Sequence, residues 1–376
     1  MLTRRNRFPK PMIKTLRRAI FFAALPAALL QGCQSAFGPE SLERTHPAYN
    51  AAITASVNEQ MLQNLVRLRY RDVPFFLEIG SVTATLSVGA NAQLGGTVAI
   101  GGEDSVSPLA GVAYMDSPTI SYAPLRGEDL LKSLLSPLQL ESILVLTQSG
   151  WRISRVFGLC FERINDVRNA PTASGPTPDQ EPDYRSFNRL LDSLDRLQQR
   201  GQIEVGAKGE GDDAGIVVKL NAAGDAGSRG LDEVRALLGL ESGRNQFGLN
   251  TNFLETVADQ WTVRTRSLSS LLYYLSQNVD TPPAHQSAGL VTVTRAHGGG
   301  VFDWGETPAG QIFQVRSGPE RPDGAYIATF YRGHWFWVED HDLESKSTFM
   351  LLRQLFDLQA GQNTLQGPTL TLPVGR

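Results

Sequence analysis

Five histidines and two cysteines are the side chains of this 376-residue chain best suited to acid–base, nucleophilic or metal chemistry. The histidines, His46, His285, His297, His334 and His341, are scattered along the sequence. The densest acidic group is the tetrad Glu339–Asp342, which holds His341 and would suit a metal by residue type. Neighbours on a strand point to opposite faces, however, and Asp342 is placed to cap the helix opened by "LESKSTF". The tetrad therefore falls short of a metal's ligand count. Gly209, Gly211 and Ala214 match a dinucleotide loop by spacing. Yet a strand follows them instead of a helix whose N-terminus would face a phosphate, and Asp212–Asp213 would repel one. No Gly-x-Ser-x-Gly, His-Glu-x-x-His, Cys-x-x-Cys or Walker loop occurs. The expectation is a chain with no catalytic residues, no cofactor and no metal.

Cys33 raises a different chemistry because of what precedes it. Arg4, Arg5, Arg7, Lys10, Lys14, Arg17 and Arg18 come without an acidic residue, and Ala19–Leu30 carries no charge. An apolar run of about 12 residues is too short for the ~20 that span a bilayer as a helix, so residues 1–32 read as a signal peptide. The sequence Leu30-Gln31-Gly32-Cys33 resembles a bacterial lipobox, with Gln31 larger and more polar than the usual occupant. The resemblance implies lipidation: Cys33 takes a thioether-linked diacylglycerol, cleavage follows Gly32, and the new amino group is acylated. Several buried chains, at about 0.8 kcal/mol per CH₂, anchor stably where one is marginal. The alternative is an ordinary secretory signal with an incidental cysteine. A start at Met12 would give a signal of more usual proportions, and neither Arg4-Arg5 nor Arg17-Arg18 lies in a full twin-arginine context. By resemblance to the sorting rule of enteric bacteria, Gln34 in place of Asp implies the outer membrane, with the body on the periplasmic side.

Removing residues 1–32 leaves 28 basic against 38 acidic side chains, since all seven charges removed are positive. A net charge near −10 argues against nucleic acid as a partner, because that affinity needs a basic surface. With Cys33 lipidated, Cys160 has no disulfide partner and reads as a core thiol inside "VFGLCFERI". Residues 33–50 are polar and read as a lipidated tether. The Pro-rich stretch 169–183 reads as a linker between an N-terminal α+β domain, 51–168, and a C-terminal α+β domain, 184–376.

Positioning falls to a series of helices and hairpins. Ile53, Val57, Met61, Leu65 and Leu68 predict an amphipathic helix ending before Pro74, with Arg67, Arg69 and Arg71 as its solvated or salt-bridged end. From Val82 to Ile100 every even position is apolar or glycine, and the odd positions are mostly Thr, Ser, Asn, Gln or Gly. Period two predicts β structure, and residues 82–100 are expected to fold as a hairpin turning near Asn91, because one strand of that length would far exceed the common ~17–20 Å. Two readings of it compete. Its apolar face packs on a helix such as that beginning at Ala51, or it is donated to a membrane barrel, which also uses alternating strands. Residues 82–100 contain no aromatic for an interfacial girdle.

Further on, Phe187, Leu190, Leu191, Leu194 and Leu197 predict a helix stopping at Gly201. "QIEVGAK", "GIVVKL" and "QWTVRTRS" predict strands, and "LDEVRALLGL" and "SLSSLLYYLSQNV" predict helices. A hairpin turns at Arg332-Gly333, with Trp335 and Trp337 on one face and Phe336 and Val338 on the other, before a last helix. The segments "NEQMLQNLVRLRYRDVPFFLEI" and "YRGHWFWVEDHDLESKSTFMLLRQLF" resemble uncharacterised proteobacterial lipoproteins, a resemblance that transfers no activity. The expected molecule is an α+β, lipid-anchored envelope protein with a structural, assembly or binding role and an envelope protein or its own copies as partner. A subunit of an oligomeric outer-membrane pore and an envelope hydrolase are the alternatives.

Overall fold

The computed structural model describes residues 39–97, 105–124, 128–209, 215–221, 225–251 and 258–360. Cys33 and the signal segment lie outside them, as do Gly211 and Ala214. The chain forms two compact units, Met1–Asn58 and Glu59–Arg376, and helices and mainly antiparallel sheets make an α+β fold.

Helix α1 (Pro39–Arg69) opens the described chain. The expected tether 33–50 is thus helical from Pro39 onward. Proline is well suited to a helix's first turn, and the Glu, Leu and Arg that follow favour continuation. Within the second unit, Met61, Leu62, Leu65, Val66 and Leu68 are buried as their spacing predicts.

Strands β1 (Leu77–Thr97) and β2 (Ser105–Pro124) form an antiparallel ribbon of their own. The expected turn near Asn91 is absent: Asn91 lies mid-strand, registered opposite Gly111. The hairpin expected within residues 82–100 is therefore one arm of a longer hairpin whose connection falls in 98–104, outside the described residues. Even parity runs unbroken through Asn91 because no loop interrupts it.

Three short helices follow, α2 (Glu128–Leu135), α3 (Leu140–Gln148) and α4 (Ile153–Cys160), where the sequence predicts two. Strands β3 (Phe161–Ile164) and β4 (Val167–Arg168), helix α5 (Arg185–Gln199), strands β5 (Ile203–Lys208) and β6 (Gly215–Leu220), helix α6 (Asp225–Leu238), and strands β7 (Gln246–Asn250) and β8 (Gln260–Thr265) come next. They build a six-stranded sheet in the order β4-β3-β8-β7-β6-β5, in which only β7–β8 is parallel. Helix α5 buries Phe187, Leu190, Leu191, Leu194 and Leu197 as expected, and Gly201 ends it at φ +64°.

Pairing of β3 with β8 crosses the boundary expected at 169–183. That stretch is no spacer. Asn169, Ala170 and Ala173 are fully buried and Thr177 is nearly so, and a 3-10 turn spans Pro171–Ser174. Its polar groups are paired from both sides: Arg69 Nη1 donates to Thr177 Oγ1 (3.0 Å), Thr294 Oγ1 to the Pro178 carbonyl (2.8 Å), and Asn169 Nδ2 to the carbonyls of Gly158 (2.7 Å) and Phe161 (2.8 Å). Buried polar groups persist where each finds a partner, so a Pro-rich, polar composition here marks a fixed irregular path through the core.

Helices α7 (Leu268–Ser276) and α8 (Pro283–Ser287), then strands β9 (Arg316–Gly318), β10 (Ala325–Tyr331) and β11 (His334–Glu339), lead to α9 (Leu343–Ala360). The last three strands form a sheet in the order β10-β11-β9. Phe336 and Val338 are fully buried and Trp335 and Trp337 half-buried. Asp342 caps α9, accepting from the Ser345 N–H at 3.0 Å.

Candidate functional site

The feature that sets this molecule apart is the β1–β2 ribbon. Beyond an irregularity at Ile79–Ser81, its register runs from Ser81↔Ser121 to Thr97↔Ser105. Directly opposed residues share a face, so the parity seen in β1 extends to β2. One face takes the positions Val82/Ile120, Ala84/Pro118, Leu86/Asp116, Val88/Tyr114, Ala90/Val112, Ala92/Ala110, Leu94/Pro108 and Gly96/Val106. The other takes mainly Ser, Thr, Asn, Gln and Gly. No charged residue occurs in the eleven rows between Ser87↔Met115 and Thr97↔Ser105. Among the described residues, no helix or other strand makes an extended contact with the ribbon.

Its root is held firmly. Helix α1 ends in a left-handed residue, Arg71 at φ +59°, a conformation that is costly outside glycine. Arg71 Nη2 donates to the Thr177 carbonyl at 3.1 Å, which helps to hold the residue there. Asn64 then clamps the descending chain twice, donating to the Phe75 carbonyl (2.8 Å) and accepting from the Phe75 N–H (2.8 Å). The Leu77 N–H donates to Gln60 Oε1 at 3.1 Å. Phe76 is 4% exposed and packs against Phe356 with ring centroids 5.1 Å apart.

Between Arg69 and Asp72 the root meets two distant segments. The Tyr70 hydroxyl and His285 Nδ1 lie 2.7 Å apart. The His285 and His334 rings meet edge-on at 4.8 Å, and His334 Nδ1 is buried with no partner among the described residues. Asp72 accepts from the Tyr331 hydroxyl and pairs with Arg332 at 2.8 Å. The Arg332 guanidinium also lies 5.3 Å from the centre of the Tyr70 ring. Burial lowers the Arg69 pKa to about 10 and raises that of Tyr70 to about 12, so near neutrality one is a cation and the other a neutral phenol. Arg67, Arg69, Arg71 and Arg332 stand around this junction with Asp72 as the carboxylate among them, a field that disfavours a divalent cation at the two imidazoles.

The residues singled out in the sequence are dispersed. His297 is exposed and lies 3.2 Å from Glu181, and His341 is exposed in the turn before α9. Glu339 accepts from Trp337 Nε1 (2.9 Å), Asp340 pairs with Lys346 (2.6 Å), and Asp342 serves as a cap. The tetrad's carboxylates thus have separate partners. Gly209 lies in the connection after β5, and β6 follows antiparallel to it. Cys160 is fully buried, its thiol pushed up to about 12 by desolvation. Arg69, expected at a solvated helix end, is 7% exposed and spends its guanidinium on Thr177 Oγ1 and the Thr292 carbonyl. Tyr70, Asp72, His285, Tyr331 and Arg332 escaped notice because their signal is a meeting across more than two hundred residues. No family model, curated protein or solved structure matches the chain.

Proposed function

We propose that the chain is a lipid-anchored envelope protein, held by Cys33 at the outer membrane with its body in the periplasm, whose Leu77–Pro124 hairpin enters the bilayer as one copy's share of an oligomeric β-barrel. The observation that carries this reading is the ribbon: a long two-stranded sheet with one apolar and one polar face that no other described element covers. Eleven uncharged rows at ~3.3 Å per residue run roughly 36 Å, and a strand tilt of about 40° reduces the rise to roughly 28 Å, close to the ~25 Å apolar band of such barrels. Asp116 falls at the proximal limit of that zone, and Glu103 and Asp104 lie just beyond its distal limit. Both outer edges of the ribbon lack strand partners, which a bilayer does not tolerate, so neighbouring copies must supply them. In this reading the protein conducts or exports and performs no covalent chemistry.

Single cysteines from Ser87→Cys to Thr97→Cys, probed in outer-membrane vesicles with a membrane-impermeant maleimide, test the proposal. Cys160 contributes little background, being buried and protonated. Odd-numbered positions are expected to react and even-numbered ones to stay protected. Uniform reactivity along the arm would place the ribbon in water and end the reading.

A further inference from the structure

We propose that Tyr70 and His285 form a proton-operated latch that holds the hairpin's root closed near neutral pH and releases it on acidification. This goes beyond membrane insertion and does not depend on it, because the latch acts on residues 70–76 of the periplasmic body.

The argument starts from which atom carries the hydrogen. Tyr70 remains a phenol throughout the physiological range, so across 2.7 Å its hydroxyl donates and His285 Nδ1 accepts. Accepting at Nδ1 requires a neutral imidazole with its proton on Nε2. A second proton would land on the accepting nitrogen, and two donors would then face each other. The bond exists in one protonation state only.

Every element at the junction opposes that second proton. From the end of α1 come Arg67, Arg69, Arg71, Tyr70 and Asp72; from the β10–β11 turn come Tyr331, Arg332 and His334. Asp72 is the carboxylate in this set, and it is already shared between Arg332 and Tyr331. Desolvation, then His334 and Arg332, hold the His285 pKa below the ordinary imidazole value. The sign follows: above about pH 6.5 the imidazole is neutral folded or open, and below it the open form takes up a proton that the closed form refuses. Acid therefore favours opening, over the window from about 6.5 down to the lowered value. His334, edge-on to His285 with its Nδ1 unpaired, adds repulsion once either ring is charged.

Opening has a defined mechanical result. Tyr70 also packs edge-on against Tyr331 (5.7 Å) and Phe336 (6.2 Å), so losing its hydroxyl anchor frees the turn that carries Phe75, Phe76 and the first residues of β1. The hairpin's root then moves relative to the β10–β11 sheet.

Hydrogen exchange of the full lipidated protein in detergent, followed over residues 69–77 at pH 7.5 and 5.0 and corrected for intrinsic rates, tests the latch. In the wild type, protection should fall at least about tenfold on acidification. His285→Gln, whose carbonyl accepts from Tyr70 without titrating, should keep its neutral-pH protection at pH 5.0. Tyr70→Phe should be poorly protected at both. An unchanged wild-type segment, or a His285→Gln variant that opens as the wild type does, would overturn the proposal. His297→Gln, remote from the root, should open like the wild type; loss of the response there would also overturn it. If Tyr70→Phe fails to fold, the His285→Gln comparison decides alone.

Discussion

Asn169 shows how much one side chain holds in place. Fully buried, it donates to the carbonyls of Gly158 and Phe161 and accepts from the Tyr274 hydroxyl at 2.8 Å. Its own carbonyl accepts from Arg266, whose guanidinium lies 4.0 Å from the centre of the Tyr274 ring. Arg266 is 1% exposed, and burial lowers its pKa, yet this cage of acceptors and an aromatic face provides for the charge. Asn169→Ala would strip two carbonyls and a hydroxyl of partners at about 1–3 kcal/mol for each group left unsatisfied. A loss of at least ~2 kcal/mol in urea unfolding is expected, and a variant as stable as the wild type would show the cage to be redundant. None of this is legible in "NAPTASGPTPDQEPD", because composition reports polarity and not pairing. Asp342 was legible, since a cap acts on its own helix within one turn.

For elements, the contrast lies between the ribbon and its root. Phe76 is enclosed by the body, so Phe76→Ala should lower the stability of an anchorless form beginning at Ser41 by about 3–5 kcal/mol, the usual cost of truncating a buried Phe. Leu86, ten residues along the same strand, should behave differently. If the ribbon is reserved for lipid, Leu86→Ala leaves the urea midpoint of that form unchanged; a loss above ~2 kcal/mol would mean the ribbon packs on the body. Helices such as α5 were legible from their spacing because each buries a continuous stripe. β1 was legible as β structure, but its length was not. Its partner β2 carries Pro108, Pro118 and Pro124, and proline normally argues against a strand. In a two-stranded ribbon each strand is an edge, where a missing N–H is tolerated. The root junction stayed invisible for another reason: Asp72 and Tyr331 are 259 residues apart and share no local pattern.

The whole molecule joins an anchor, a body and a ribbon, and only the anchor has a local signature. Cys33→Ser is expected to leave the precursor uncleaved by the lipoprotein peptidase and unlabelled by radioactive palmitate, with equal labelling of both forms refuting lipidation. In the proposed barrel each copy supplies two strands, so the assembly has an even strand number. The body, by contrast, is stitched together from far-apart pieces: Asn165 with Thr262 at a separation of 97 residues, Arg155 with Glu344 at 189, Asp72 with Tyr331 at 259. Such contacts form only after long loops close, which makes folding slow and late. During synthesis the first half of the body emerges with its partners still unmade, and the root cannot close until Tyr331 has left the ribosome. For a chain exported as proposed, this ordering is useful in itself: a nascent polypeptide without its closing contacts stays threadable through a narrow translocation channel, and its fold completes only on the far side.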